Sequence, residues 1–279
     1  MAARCAPGHA CPIVHRAQPT RLALIAATCL ALPLSSVACG SPAAPRALGS
    51  EAPRPSTEQR TEPEAGGDDV TLAPADPPEP ARRRYAVAAV GDSLTAARSH
   101  GGGYLAYLRE RCPESRFEDF GRGGDMVNMM RRRFERDVLP ITTELTHVLV
   151  FGGVNDLYSD LTAGRTPTNI SEDLSAMYAA ARERGLGVVA LTVAPWGGSR
   201  RYNDSRGAAT RELNEWIRGT ASGRATDHVI DAYTLLSCGD PERLCPAYQR
   251  PWRDGLHFGP GGHEVLGEAL YREVFADCR

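Results

Sequence analysis

Apolar residues fall into two kinds of run along the later part of the chain. Short, nearly unbroken runs recur at 85–90, 117–120, 147–151, 188–193 and 228–230. Runs this short and this apolar predict strands covered on both faces, as in a parallel sheet. Between them the apolar positions spread to helical spacing. Residues 103–108 predict one helix. Asn169-Ile170-Ser171-Glu172 predicts a capped helix start, continued through Met177, Tyr178 and Ala181 to a stop at Gly185. Thr210 to Ile217 predicts another. Pro260, followed by Val265, Leu266, Ala269, Leu270 and Val274, predicts a last helix. Strands alternating with helices predict the α/β class: a three-layer α/β/α sandwich of flavodoxin-like type around a mainly five-stranded parallel sheet.

The pattern is different before residue 85. Arg16 and Arg21 precede an apolar stretch, broken by Pro33, that ends Ser36-Val37-Ala38-Cys39-Gly40. It is too short and too broken for a stable membrane span, and residues 1–39 are expected to be a signal segment. Small residues before Cys39 match a lipoprotein-type cleavage site, with Cys39 lipidated and anchoring the protein to a membrane. Cleavage after Ala38 and simple secretion is the alternative. Residues 40–84 are rich in Pro, Ala and Glu and nearly free of large apolar side chains, which predicts a disordered tether. Residues 85–279 are expected to form one domain.

Composition narrows the chemistry. The 279 residues carry 34 acidic against 32 basic side chains, a net charge of -2, which argues against a nucleic-acid partner. The chain has no lysine, so Ser-Lys dyads, phosphate-loop lysines and Schiff bases are excluded. With arginine this abundant, the run Arg131-Arg132-Arg133 reads as the solvated face of a helix.

Four segments carry the candidate chemistry. Gly91-Asp92-Ser93-Leu94 ends the first strand, where a serine at the carboxyl edge of an α/β sheet stands ready for attack. Asp254 and His257 lie three residues apart just before the last helix. They supply a base and the carboxylate that orients it. Asp119-Phe120-Gly121-Arg122-Gly123-Gly124-Asp125-Met126 places backbone N–H groups where they can approach an oxyanion. Gly152-Gly153-Val154-Asn155-Asp156 follows the third strand and offers the Asn155 amide. Thr95 stands where a Gly-x-Ser-x-Gly elbow needs its second glycine, which separates the chain from the α/β-hydrolases.

Together these segments resemble the SGNH, or GDSL, family of serine hydrolases, in block order and over the chain from about Tyr85 onward. The resemblance implies Ser93 as nucleophile and first oxyanion donor, Gly124 and Asn155 as further donors, His257 as base and Asp254 as its partner. Asp119 and Met126 depart from the family's pattern beside the oxyanion donor. The implied function is an exported esterase with no cofactor and no metal. It would cleave short acyl chains from an acylated carbohydrate or lipid through an acyl-enzyme, since no long apolar lid is visible. An O-acyltransferase of the same fold and a non-catalytic carbohydrate-binding module are the alternatives.

Of eight cysteines, Cys112, Cys238, Cys245 and Cys278 fall in the domain. Their spacing fits no zinc pattern, and an even set in an exported domain predicts disulfides. Cys238 and Cys245 bracket one short loop. Cys112 and Cys278 follow the first and last helices, which can lie side by side on one face of the sheet. The expected pairs are therefore Cys112–Cys278 and Cys238–Cys245. Trp196 and Trp252 are expected near the site, lining an acyl or sugar pocket, with plain loop packing as the alternative. Asp92 and Asp156 are expected to brace their turns, while His147, His228 and His263 read as non-catalytic.

Overall fold

The computed structural model describes residues 82–279. Its centre is a five-stranded, all-parallel sheet in the order β2-β1-β3-β4-β5. The strands are β1 (Ala86–Gly91), β2 (Arg116–Gly121), β3 (His147–Phe151), β4 (Gly187–Leu191) and β5 (His228–Ile230). Helix α1 (Gly103–Arg111) joins β1 to β2, and α2 (Val127–Arg133) follows β2. Two short helices, α3 (Val154–Tyr158) and α4 (Asp160–Ala163), lead from β3 into α5 (Pro167–Glu183). Helix α6 (Asp204–Ser222) joins β4 to β5. Then come α7 (Ala232–Leu235), an antiparallel hairpin of β6 (Ser237–Cys238) and β7 (Asp240–Leu244), and α8 (Pro260–Leu270).

Unbroken apolar strands follow from this layering. Alternate side chains of a strand face opposite sides of the sheet. Ala88, Val90, Val148, Val150, Val188 and Ala190 pack into one layer with Met130, Leu174, Met177 and Leu213 of α2, α5 and α6. Val87, Ala89, Leu149, Phe151, Val189 and Leu191 pack into the other with residues of α1 and α8. Full burial of one Val or Leu side chain is worth about 1.5–3 kcal/mol, so polar residues on either face would be costly. The sheet's carboxyl edge is left free for chemistry.

Helices α1 and α8 lie against each other, with Gly267 directly over the Tyr107 ring, where a larger residue would clash. Disulfides join Cys112 to Cys278, with Cα atoms 5.4 Å apart, and Cys238 to Cys245, at 5.0 Å. The first closes a ring with a sequence separation of 166. In the chain-entropy picture, a ring of that length stabilises the fold by roughly 5 kcal/mol.

Three local expectations change. Helix α5 begins at Pro167, earlier than Asn169–Glu172 suggested. The Thr166 side chain accepts from the Asn169 N–H and the Asn169 side chain reaches back, a capping box that also uses proline's missing donor in the first turn. Helix α6 extends well beyond 210–217, capped at its start by Asn203 accepting from the Arg206 N–H. The β6–β7 hairpin has no apolar alternation to announce it. At the domain's start, Arg83 and Arg84 are engaged. The Arg83 N–H donates to the Asp277 carbonyl (2.8 Å), and the Arg84 guanidinium donates to Glu114 (2.8 Å).

His263 of α8 is buried, with its ring against Phe258 and stacked on Tyr104 (centroids 4.5 and 6.1 Å away). Burial presses its imidazole down to about 4 from an ordinary 6.5, outweighing a hydrogen bond to the His100 backbone. As pH falls, the unfolded chain takes up this proton before the folded one does. Stability tied to His263 is therefore full above about pH 6.5 and lost as pH drops toward 4, by up to about 3 kcal/mol. Urea unfolding across that range is expected to show a shallower loss for His263→Phe than for the unaltered chain. Equal slopes would contradict this account.

Candidate active site

The first strand ends at Gly91, and the chain then turns sharply. The Asp92 carboxylate accepts from the Leu94 N–H (2.9 Å) and its carbonyl from the Ala96 N–H (3.0 Å). The turn leaves the half-buried Ser93 side chain at the carboxyl edge of the sheet. Asp92 itself is fully buried. Burial pushes its carboxyl up to about 7, against the hydrogen bond from Leu94.

Ser93 Oγ lies 2.9 Å from His257 Nε2, and His257 Nδ1 lies 2.6 Å from Asp254 Oδ2. The other Asp254 oxygen, Oδ1, accepts from the backbone N–H groups of Leu256 (2.9 Å) and His257 (2.8 Å). One carboxylate therefore folds the loop and orients the ring. Partial burial draws the Asp254 pKa upward. The hydrogen bonds from the His257 ring and from the two backbone donors outweigh it and hold the group below its ordinary 3.8. Gly255, at φ 74°, crosses directly over Gly198, and a Cβ there would strike the Gly198 backbone. Glycine meets both demands at once.

Gly124 takes a left-handed conformation (φ 81°), and Asn155 lies in the first turn of α3. The Asn155 amide donates to the Asp125 carbonyl (3.0 Å) and faces Asp92 Oδ2 at 3.5 Å. Asp119 supplies local bonds of its own, accepting from the Ala97 N–H (2.8 Å) and the Gly121 N–H (2.7 Å). Asp156 accepts from the Val127 N–H (2.8 Å) and from Arg165 (2.7 Å), and burial raises its pKa despite these bonds.

Beneath the site lies an interaction that the sequence pattern concealed. Arg133 is buried, not solvated as its arginine run suggested. Its guanidinium donates to Asp125 (2.6 Å), the Phe120 carbonyl (2.6 Å) and the Gly91 carbonyl (3.1 Å). The helix turns Arg133 inward while Arg132 faces solvent. The available signal was the apolar spacing of Val127, Met130 and Phe134, which puts position 133 beside the buried stripe.

Ser93, Gly124, Asn155 and His257 line a cleft of about 900 Å³, together with Tyr158, Arg200, Arg201 and Arg253. Trp196 borders it but is buried, its indole N–H donating to Thr210 Oγ1 (3.0 Å) and its ring edge-on to Tyr202 (5.0 Å). Trp252 is 41% exposed and stands in a neighbouring groove, against the His100 ring (4.7 Å). The two tryptophans are thus not brought together. Among the described residues, no group of three or more His, Cys, Asp or Glu side chains could hold a metal ion. Cys39 lies outside the described residues.

Solved structures share this architecture. A GDSL-like lipase from Bacteroides thetaiotaomicron aligns at TM-score 0.57 and 18% identity, covering 68% of this chain and 87% of its own. The lipase/acylhydrolase from Enterococcus faecalis aligns at 0.56 and 24% identity, covering 70% and 97%. The acetylxylan esterase Axe2 from Geobacillus stearothermophilus aligns at 0.55 and 20% identity, covering 70% and 96%. No curated relative matches the chain. The profile of the GDSL-like lipase/acylhydrolase family matches residues 89–265, most of the described domain and more than half the chain. With that match, the chain belongs to the GDSL-like lipase/acylhydrolase family, an α/β group of ester-bond hydrolases.

Proposed function

We propose that the protein is an exported serine esterase that works through a Ser93-His257-Asp254 triad and an acyl-enzyme. The observation that carries this reading is the hydrogen-bonded line from Ser93 Oγ through His257 to Asp254, opening on the cleft. Ser93 Oγ attacks the ester carbonyl and gives its proton to His257 Nε2. Asp254 holds the Nδ1–H and steadies the imidazolium. The oxyanion takes hydrogen bonds from the N–H groups of Ser93 and Gly124 and from the Asn155 amide. One hydrogen of that amide is fixed on the Asp125 carbonyl. The other faces Asp92 at a distance too long for a strong bond, which leaves it free for the oxyanion. His257 then protonates the departing alkoxide, and water repeats the cycle to release the acid.

The polar side chains of the cleft wall, three arginines among them, favour short acyl chains on a carbohydrate or lipid-like alcohol over long-chain esters. Two disulfides in the described domain favour an oxidising compartment. Residues 1–39 serve as the export signal, with Cys39 lipidated, and the residues from 40 onward as a tether to the catalytic domain, whose first bonds to the fold are those of Arg83 and Arg84.

Ser93→Ala is expected to abolish both cleavage of p-nitrophenyl acetate and labelling by a fluorophosphonate probe, with unfolding by urea little altered. His257→Ala should be as severe, whereas His263→Ala keeps activity if folded. The reverse result would identify a different base. Asn155→Ala should lower kcat by about 10²-fold or more with a smaller change in KM.

Activity should fall with acid, because a protonated His257 cannot accept the Ser93 proton. Asp254, held below 3.8, stays ionised through that range, and its contribution to loop stability is lost only as pH falls below it. A second limb in the kcat/KM profile above pH 3.8, removed by Asp254→Asn, would contradict this.

A further inference from the structure

The cleft beside Ser93 carries three guanidinium groups that the ester chemistry does not use. Arg200 and Arg201 come from the loop between β4 and α6, and Arg253 from the loop that bears Asp254 and His257. All three are exposed and line the cleft. Among the described residues, none of them forms an ion pair with an acid. Arginines nearby do. Arg206 holds Asp160 at 2.6 Å, Arg165 holds Asp156 at 2.7 Å, and Arg211 pairs with Glu242. Asp160, Asp156 and Glu242 are thereby taken. Asp254 is the one carboxylate lining the cleft, and it is already shared between the His257 ring and two backbone donors.

Arg201 is also held in place. Its guanidinium lies over the Tyr158 ring, 4.6 Å from the centroid. A planar fork stacked in this way loses little further freedom when it grips an anion, and it matches a carboxylate or phosphate with two parallel bonds. Positive charge gathered along one concave wall also draws anions toward it. We infer that the cleft selects esters bearing an anionic group, a carboxylate or a phosphate, close to the scissile bond. The inference rests on the esterase reading above and narrows its substrate class.

Two matched pairs of esters test it and separate the two sides of the bond. For the alcohol side, 4-acetoxybenzoate is compared with neutral 4-acetoxybenzamide. For the acyl side, mono-p-nitrophenyl adipate is compared with p-nitrophenyl hexanoate. Ser93→Ala serves as the blank in both. At low ionic strength at least one anionic ester is expected to exceed its neutral partner in kcat/KM by about tenfold, as for a charge-assisted contact. That ratio should shrink with added salt and fall toward one in Arg200→Gln/Arg201→Gln and in Arg253→Gln. The pair that shows the preference identifies the side that carries the charge. Ser93-dependent cleavage without preference in either pair overturns the inference and leaves the esterase reading standing. So does a preference that survives both salt and the substitutions. Absence of Ser93-dependent cleavage of all four esters overturns both.

Discussion

Arg133 reaches between the ends of β1 and β2 and donates to the Gly91 carbonyl, the Phe120 carbonyl and the Asp125 carboxylate. The Gly91 carbonyl also accepts from the Arg122 N–H (3.0 Å), so the guanidinium is its second donor. A buried carbonyl left without any donor would cost about 1–3 kcal/mol. The guanidinium supplies one to Phe120 and is neutralised by Asp125. The arrangement bears directly on the site, because Ser93 stands two residues beyond Gly91 and the Asn155 amide donates to the carbonyl of Asp125. The proposed nucleophile and a candidate oxyanion donor are thus both hung from one buried ion pair. Removing either partner would strand the other charge in an interior that cannot solvate it.

The same economy governs the Asp254 loop. Its carboxylate closes the turn through two backbone N–H groups and sets the imidazole with its second oxygen. Loop conformation and ring orientation cannot be uncoupled there. The crossing of Gly255 over Gly198 extends this coupling to the β4–α6 loop, so the ring and the arginine-bearing wall of the cleft share one backbone contact.

Much of this is legible in the sequence. The five strands could be read because parallel strands buried on both faces are uninterrupted apolar runs, and the order of short blocks carried the family. The pairing of Cys112 with Cys278 followed from two helices sharing a face. What escaped is equally physical. Arg133 looked solvated because a run of arginines carries no mark of which one turns inward. Trp196 looked like a rim residue because burial of a loop tryptophan depends on a distant donor-acceptor pair, here with Thr210. The hairpin at 237–244 is held by backbone pairing and a disulfide, neither of which leaves an apolar pattern.

Where the polypeptide joins the domain also matters. Arg83 pairs with the backbone of Asp277 and Arg279, at the amino end of β1. Ser93 stands past the opposite end of that six-residue strand, roughly 20 Å away at about 3.3 Å per residue. Arg83 and the cleft therefore lie at opposite ends of β1. The direction of a parallel strand alone keeps the backbone pairing of Arg83 with the last residues of the chain out of the cleft.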